Sequence, residues 1–193
     1  MKIILASQSP RRKEILSMIT NKFEVIVSNA DETLDKKLTN EEQVKHLAYI
    51  KAKSVFNETK QMGDRIVIGS DTIVVKDGKI YGKPKNHDEA FKMLSDLKDA
   101  KHEVMTGISV IIQKDDKINE ILDFDITSVY INDITEKELE EWIATNEAYD
   151  KAGGYAIQGK FGVFIEKIEG NYFTVVGLPV HKVYKAINNF IEE

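Results

Sequence analysis

The sequence of 193 residues contains no cysteine, which excludes disulfide bonds, thiolate metal ligands and a cysteine nucleophile. No apolar run is long enough for a membrane span, and the N-terminal run is too short for a signal peptide. The formal charge of −5 argues against a broad nucleic-acid surface. None of the four histidines has the spacing of a metal site: His46, His87, His102 and His181. We therefore expect a soluble, cytoplasmic α/β protein that binds neither nucleic acid nor membrane.

The most informative stretch is residues 66–75, where two β-branched runs flank Gly69, Ser70, Asp71 and Thr72. Each run is apolar enough for a strand buried on both faces. An ionised aspartate there costs several kcal/mol unless it is paired, hydrogen-bonded or bound to a metal. The alternative is a turn between two short strands, with Asp71 at the bend. We favour a functional role for Asp71.

Two arginines stand at the start of the first predicted helix. A strand over residues 3–6 is followed by Ser9 and Pro10, which suit the N-cap and first position of a helix over residues 10–19. Arg11 and Arg12 then lie in the first turn, where the helix dipole disfavours cations. A bound anion would account for them, and two solvated arginines are the alternative. We favour the anion site.

Acidic and basic candidates follow in the next two elements. A strand over residues 23–28 leads into Asp31 and Glu32, which suit either a solvated loop or the ligands of a hard divalent cation. A capping box that begins at Thr39 opens a helix to residue 59. Lys51 lies in its apolar stripe. Taken alone, that position slightly favours a lysine that extends to water over an ammonium delivered to an anion.

The remaining pattern predicts an alternation of strands and helices. A hairpin turn at residues 76–79 returns the chain, with Lys83, toward Asp71. We predict a helix over residues 88–97, strands over 102–113 and 118–131, a helix opened by a capping box at Thr135, and a last helix from Pro179. Residues 161–168 and 171–176 are predicted to form a hairpin.

Two catalytic signatures are considered and rejected. Gly154-x4-Gly159-Lys160 nearly matches a phosphate-binding P-loop, but residues 161–165 are predicted as a strand where a P-loop requires a helix. The glycines suit either a loop that wraps a ligand or a plain connection. The haloacid-dehalogenase signature fails because the residue two positions after Asp71 is not a second acid.

Seven short motifs occur in a fixed order along the chain: Ser7-Gln8-Ser9-Pro10-Arg11-Arg12, Asp31-Glu32, Leu47-Ala48-x-x-Lys51-Ala52, Gly69-Ser70-Asp71-Thr72, Gly82-Lys83-Pro84, His102-x-x-x-Thr106-Gly107 and Tyr149-Asp150-Lys151-Ala152-Gly153. The last extends through Ile157-Gln158-Gly159 to Val176-Gly177-Leu178-Pro179. In these motifs the chain resembles the Maf nucleoside triphosphate pyrophosphatases over nearly its whole length.

The resemblance implies a fold and a reaction. The fold is α/β, with a mixed twisted sheet, flanking helices and a central cleft, similar to inosine triphosphate pyrophosphatases. Residues 1–193 would form a single domain of two lobes around that cleft. The reaction is hydrolysis of a nucleoside triphosphate to the monophosphate and pyrophosphate with a divalent cation, Mg²⁺ or Mn²⁺, as a house-cleaning activity. A homodimer is compatible with the resemblance.

The resemblance also implies roles for single residues. The family's proton acceptor falls on Asp71, with Lys51 and Lys83 as catalytic lysines and Glu32 beside Asp71 as metal ligand. Ser7 joins the substrate contacts, and Lys51, Lys83 and the two N-terminal arginines would neutralise the phosphates. Three positions match the subgroup that acts on dTTP and UTP, with modified pyrimidine triphosphates as further candidates: Arg11, Thr72 and Gln158.

Two residues bear on the choice of subgroup and substrate. Ser70 stands where that subgroup commonly has alanine. The Gln158 amide both donates and accepts hydrogen bonds, which suits a thymine or uracil edge. The alternative function is a nucleotide-binding regulator of septum formation and cell division without significant turnover. The intact acid at Asp71 favours the enzyme.

Overall fold

The computed structural model describes residues 1–191 and divides into two compact units. Unit 1 contains residues 1–71, 106–125 and the chain from 177 onward, and unit 2 contains residues 72–105 and 126–176. The strands are β1 (Lys2–Leu5), β2 (Glu24–Val25), β3 (Arg65–Lys76), β4 (Lys79–Tyr81), β5 (Ala100–Lys114), β6 (Lys117–Ile131) and β7 (Ile165–Glu169). The helices are α1 (Pro10–Ser17), α2 (Asn40–Glu58), α3 (His87–Leu97), α4 (Glu136–Ile143), α5 (Tyr172–Val176) and α6 (Val180–Ile187).

The sheet is mixed, as predicted for an α/β protein. In unit 1 the strand order is β2-β1-β3-β5-β6, and β1 pairs in parallel with both β2 and β3. In unit 2 the strands β3, β5 and β6 continue in that order, β4 pairs antiparallel with β3, and β7 pairs antiparallel with β6. No helix within residues 1–191 has the length and hydropathy that crossing a membrane requires.

Helix α2 packs directly on the sheet of unit 1 because two glycines leave room for its backbone. A Cβ at Gly69 in β3 would lie 2.3 Å from the carbonyl oxygen of Ala48, and one at Gly107 in β5 would lie 2.3 Å from that of Val44. Either side chain would clash with helix backbone, which cannot move aside as a flexible side chain can. The buried core around this contact contains Ile4, Ala6, Ala52, Val55, Phe56, Val67 and Ile111.

Unit 2 has its own core, which is rich in aromatic side chains. Phe161 is fully buried, and its ring packs against those of Trp142, Tyr155 and Phe164 with centroids 5.1 to 5.4 Å apart. The indole of Trp142 donates to the carbonyl of Gly154 at 2.8 Å. The glycine-rich loop is therefore anchored on the core of unit 2.

Most predicted elements are confirmed within a few residues, including a strand through Asp71, whose functional role stays a prediction. Residues 65–76 form one uninterrupted strand, so the alternative of a turn at Asp71 is wrong. Both capping boxes form, at Thr39 and at Thr135. The second strand is shorter than predicted, with two residues in β2.

The hairpin predicted for residues 161–176 is wrong. Residues 160–164 form a short 3-10 helix, only 165–169 form a strand, and 172–176 are helical. Asn171 explains the last change, because its side-chain oxygen accepts from the backbone N–H of Phe173 at 2.8 Å, and its own N–H donates to the hydroxyl of Thr127. This local turn outweighs the β-branched and aromatic composition that follows it.

The same correction changes the ground for rejecting a P-loop. The segment directly after Gly159 is neither a strand nor an α-helix, because residues 160–164 form a 3-10 helix of five residues. Phe161 is buried within it. The α-helix N-terminus that a P-loop uses to bind phosphate does not follow this glycine-rich loop.

Candidate active site

The centre of the candidate site is an acidic pair that shares one ammonium. Asp71 projects from the middle of β3 and forms an ion pair with Lys51 of α2, and the two side chains are 13% and 10% exposed. The Lys51 ammonium also lies 2.9 Å from Oε2 of Glu32, whose side chain is 53% exposed. The interpretation of Lys51 as a lysine that extends to water is wrong, because its ammonium is held by two carboxylates.

The position of the ion pair between Asp71 and Lys51 follows from the packing of α2 on the sheet. Gly69 lies two residues before Asp71 on the strand, and Ala48 lies three residues before Lys51 on the helix. The backbone contact between Gly69 and Ala48 therefore sets the distance between the strand and the helical turn that carries the lysine. A close contact between the backbones of two rigid elements therefore holds the two charged groups together.

Arg12 lies beside this pair and is bound to the chain at several points. Its Nε donates to the carbonyl of Gly177 at 2.8 Å, and its Nη1 donates to the hydroxyl of Ser7 at 3.3 Å. Burial lowers the pKa of Arg12, the negative charge of Asp71 opposes that shift, Arg11 adds to it, and Glu32 opposes it. The alternative of a solvated arginine is therefore wrong for Arg12.

The start of α1 is organised as predicted around serine hydroxyls. Ser9 is the N-cap, and its hydroxyl accepts from the N–H of Arg12, while the hydroxyl of Ser7 accepts from the N–H of Ser9 at 3.2 Å. Arg11, in the first turn, is half-buried. Ser7, Arg11 and Arg12 thus surround the positive end of α1, where backbone donors favour an anion.

Ser70, next to Asp71, is fully buried and connects three segments of unit 1. Its hydroxyl oxygen lies 2.9 Å from the carbonyl oxygen of Gly107 and 3.0 Å from that of Gly177, and its single proton is shared between these two acceptors. The Gly177 carbonyl is the one that accepts from Arg12. Sequence reasoning noted Ser70 only as a departure from the resembled subgroup, and a serine within a buried strand was the available signal.

Two carboxylates, those of Glu32 and Asp71, are the candidate ligands of a metal ion. Within residues 1–191 no group of three or more histidine, aspartate or glutamate side chains is arranged to hold a metal ion. Glu32 and Asp71 converge on the single positive charge of Lys51. Magnesium is commonly held by one or two carboxylates together with substrate phosphates and water, so these two residues fit an ion shared with a nucleotide.

The other predicted site residues belong to unit 2. Thr72 follows Asp71 on β3, Lys83 is exposed after β4, and Gln158 is half-buried in the glycine-rich loop. The N–H of Gly153 donates to the carbonyl of Gly82 at 3.0 Å, so the loop is tied to the residue before Lys83. The approach of Lys83 and Gln158 to Asp71 stays a prediction.

Unit 2 also contains a buried histidine, which belongs to one of the seven motifs and for which the sequence indicates no role. His102 is 2% exposed, and its Nε2 lies 2.5 Å from the hydroxyl of Tyr155. Burial, aided by the positive charge of Lys76, lowers the pKa of His102 to about 4. Burial raises the pKa of Tyr155. The pair is therefore neutral near pH 7 and joins β5 to the glycine-rich loop.

The chain belongs to the Maf family, because the family described as "Maf-like protein" matches residues 2–190. It is 47% identical over 190 residues to a "dTTP/UTP pyrophosphatase" of Alkaliphilus oremlandii, covering 98% of this chain and 96% of the relative. A protein of the same name from Thermoanaerobacter sp. is 48% identical over 187 residues, covering 97% and 95%. A third such relative, from Clostridium perfringens, is 45% identical and covers 98% and 97%.

Among solved structures, the chain is similar to a "Nucleoside-triphosphatase / dITP/XTP pyrophosphatase" from Mycobacterium abscessus. The identity is 15% and the TM-score is 0.45, over 100% of this chain and 99% of that one.

Proposed function

We propose that the protein is a nucleoside triphosphate pyrophosphatase that hydrolyses dTTP and UTP to the nucleoside monophosphate and pyrophosphate. The observation that carries this conclusion is the identity of 47% over 98% of the chain with a relative named for that activity. The geometry of unit 1 supports it, because a strand aspartate, a paired lysine and two arginines at a helix start suit hydrolysis at a phosphate group.

Asp71 is the proposed general base. It is the most enclosed carboxylate of the acidic pair, and the β3 backbone and Lys51 restrict its orientation. A positioned carboxylate can accept the proton of water as the oxygen attacks a phosphorus atom. Lys51 holds Asp71 in place and can direct its third hydrogen-bond donor to a phosphate oxygen.

Arg11 and Arg12 are the proposed ligands of the phosphates, together with Ser7. The N-terminal turn of α1 adds backbone donors, and guanidinium groups bind phosphate oxygens with two parallel hydrogen bonds. Lys83 would add a further positive charge. These groups would stabilise the negative charge that develops on the leaving pyrophosphate.

A divalent cation, Mg²⁺ or Mn²⁺, would be held by Glu32 and Asp71 and would supply further positive charge to the phosphates. The fit rests on two carboxylates that already share one cationic neighbour in the protein.

Thr72 and Gln158 are the proposed determinants of base choice. A thymine or uracil edge alternates acceptor, donor and acceptor, and one glutamine amide can satisfy two neighbouring groups without burying a charge. The anchored loop in unit 2 would hold Gln158 in one orientation, because Trp142 donates to its backbone at Gly154.

The test is a substrate panel with product analysis. Purified protein is incubated with dTTP, UTP, GTP and 7-methyl-GTP, with Mg²⁺ or Mn²⁺, and both pyrophosphate and orthophosphate are measured. We expect pyrophosphate from dTTP and UTP at the highest kcat/KM. Release of orthophosphate as the first product would contradict cleavage between the α and β phosphates.

Asp71→Asn separates catalysis from binding. The amide keeps the shape of the side chain and removes the base, so kcat should fall by at least about 10²-fold. Near wild-type turnover in this variant would exclude Asp71 as the base.

The alternative function, a regulator that binds nucleotide without turnover, predicts binding with no pyrophosphate from the wild type. A cytoplasmic location and a homodimer stay predictions from the sequence.

A further inference from the structure

The orientation of Arg12 depends on a carbonyl that has little conformational restraint of its own. Nε of Arg12 donates to the Gly177 carbonyl at 2.8 Å. Gly177 has a φ of 116°, a region that side chains rarely adopt. Glycine also has the greatest backbone freedom of any residue. Other contacts must therefore hold this carbonyl where the guanidinium can reach it.

The hydroxyl of Ser70 supplies such a contact. It lies 3.0 Å from the Gly177 carbonyl and 2.9 Å from that of Gly107, and Gly107 is fixed against the backbone of α2 at Val44. A carbonyl oxygen has two lone pairs, so Gly177 can accept from Ser70 and Arg12 together. Ser70 is fully buried, so the link is shielded from competing water.

We propose that Ser70 is a positioning residue for Arg12: its hydroxyl fixes the Gly177 carbonyl, and that carbonyl orients the guanidinium for binding a nucleotide's phosphates. The inference rests on the proposed function insofar as Arg12 is a phosphate ligand. Ser70 itself is fully buried and would act on the substrate only through Arg12. Its loss would let the Gly177 peptide rotate and would leave Arg12 with more conformations to lose on binding.

A matched control exists on β5. Ser109 is 1% exposed, and its hydroxyl has no hydrogen-bond partner within the described residues 1–191. Ser109→Ala therefore removes the same atoms from the same unit without breaking a hydrogen bond. The difference between Ser70→Ala and Ser109→Ala isolates the contribution of the hydrogen bonds.

The experiment measures affinity for α,β-imido-UTP, which cannot be cleaved at the α–β bond, by titration calorimetry with Mg²⁺. Loss of the neutral hydrogen bond between the Ser70 hydroxyl and the Gly177 carbonyl should weaken binding by up to about tenfold in Ser70→Ala, with no change in Ser109→Ala. In an Arg12→Lys background, which keeps the charge but removes the Nε donor, Ser70→Ala should cause no further loss. Equal affinities of the two alanine variants, or a full Ser70 effect in the Arg12→Lys background, would overturn the proposal.

A second readout reports on the orientation itself. The Nε–H resonance of Arg12, assigned by its loss in Arg12→Lys, should exchange with solvent faster in Ser70→Ala than in Ser109→Ala. An unchanged exchange rate would contradict the proposal. If Ser70→Ala fails to fold, Ser70→Cys keeps a side chain of similar size with a weak donor and should show the same changes in affinity and exchange.

These results distinguish the inference from the proposed function. A wild type that binds the analogue but releases no pyrophosphate from UTP would refute the enzyme and leave the role of Ser70 in binding testable by the same comparison. A wild type that binds no triphosphate would overturn both.

Discussion

Replacing Lys51 by methionine tests whether the acidic pair is held by its shared ammonium. The substitution keeps an unbranched side chain with similar helix propensity and removes only the charge and its donors. Asp71 would then stand 13% exposed without its ion-pair partner. Breaking a fully buried pair costs about 3–5 kcal/mol, but Arg12 remains as a positive neighbour of Asp71. We therefore expect the free energy of unfolding to fall by about 2–3 kcal/mol.

The contact with Glu32 adds little to this value. Its side chain is 53% exposed, and exposed ion pairs contribute about 0–1 kcal/mol. Lys53→Met on the same helix is the control. Lys53 pairs with Glu120 at 2.6 Å with both side chains more than a third exposed, so its replacement should cost at most about 1 kcal/mol.

The assay is urea denaturation of the nucleotide-free protein, with Lys51→Met and Asp71→Asn combined in a double-mutant cycle. If the ion pair dominates, Lys51→Met should cost much less in the Asp71→Asn background, because no buried carboxylate is then left unpaired. A coupling energy near zero would refute the reasoning. A cost for Lys51→Met no larger than that for Lys53→Met would do so as well.

Three further predictions concern specificity, binding and pH. Gln158→Glu should lower kcat/KM for UTP about tenfold to a hundredfold relative to GTP, because the carboxylate would face the ring carbonyls with no proton to donate; an unchanged ratio would mean that Gln158 does not read the base. Arg12→Ala should weaken nucleotide binding in calorimetry while the circular dichroism spectrum stays that of the wild type, and an unfolded variant whose folded fraction binds normally would make Arg12 structural. Burial lowers the pKa of His102 to about 4 in the folded protein, whereas the histidine of the unfolded chain has the ordinary pKa of about 6.5. Between pH 6.5 and pH 4 the unfolded chain therefore binds more protons than the folded protein. The contribution of the neutral His102 to the free energy of unfolding should therefore be fully present above pH 6.5. It should fall, by up to about 1.4 kcal/mol per pH unit, as the pH drops toward 4. His102→Gln should flatten this slope in thermal melts, whereas His46→Gln, at an exposed position, should retain it.

Elements with a strong local signal could be predicted from the sequence. The capping boxes at Thr39 and Thr135 formed, since they depend on residues three apart. The strand through Asp71 was predicted because β-branched residues stand on both sides of it. The hairpin turn at Asp77 and Gly78 also formed.

Features decided by distant contacts could not be predicted in the same way. Lys51 lies on an apolar stripe whether it extends to water or pairs with an acid, and the partner is 20 residues away. The region after Asn171 has the composition of a strand, but a turn made with Thr127, 44 residues earlier, starts a helix instead. Ser70 could not be assigned a role, because its two acceptors lie in segments 37 and 107 residues away.

The two glycines beneath α2 have a consequence for how sequences of this kind can vary. At Gly69 and Gly107 the helix backbone occupies the space of a side chain, so even alanine would push the helix outward. Lys51 is carried by the turn that would move, and the ammonium would be withdrawn from Asp71. In a saturation library scored separately for abundance and for turnover, both positions should therefore reject every other residue in the turnover score. Some of those variants should still accumulate as folded protein, which would mark the sites as spacers for catalysis as well as contacts of the core.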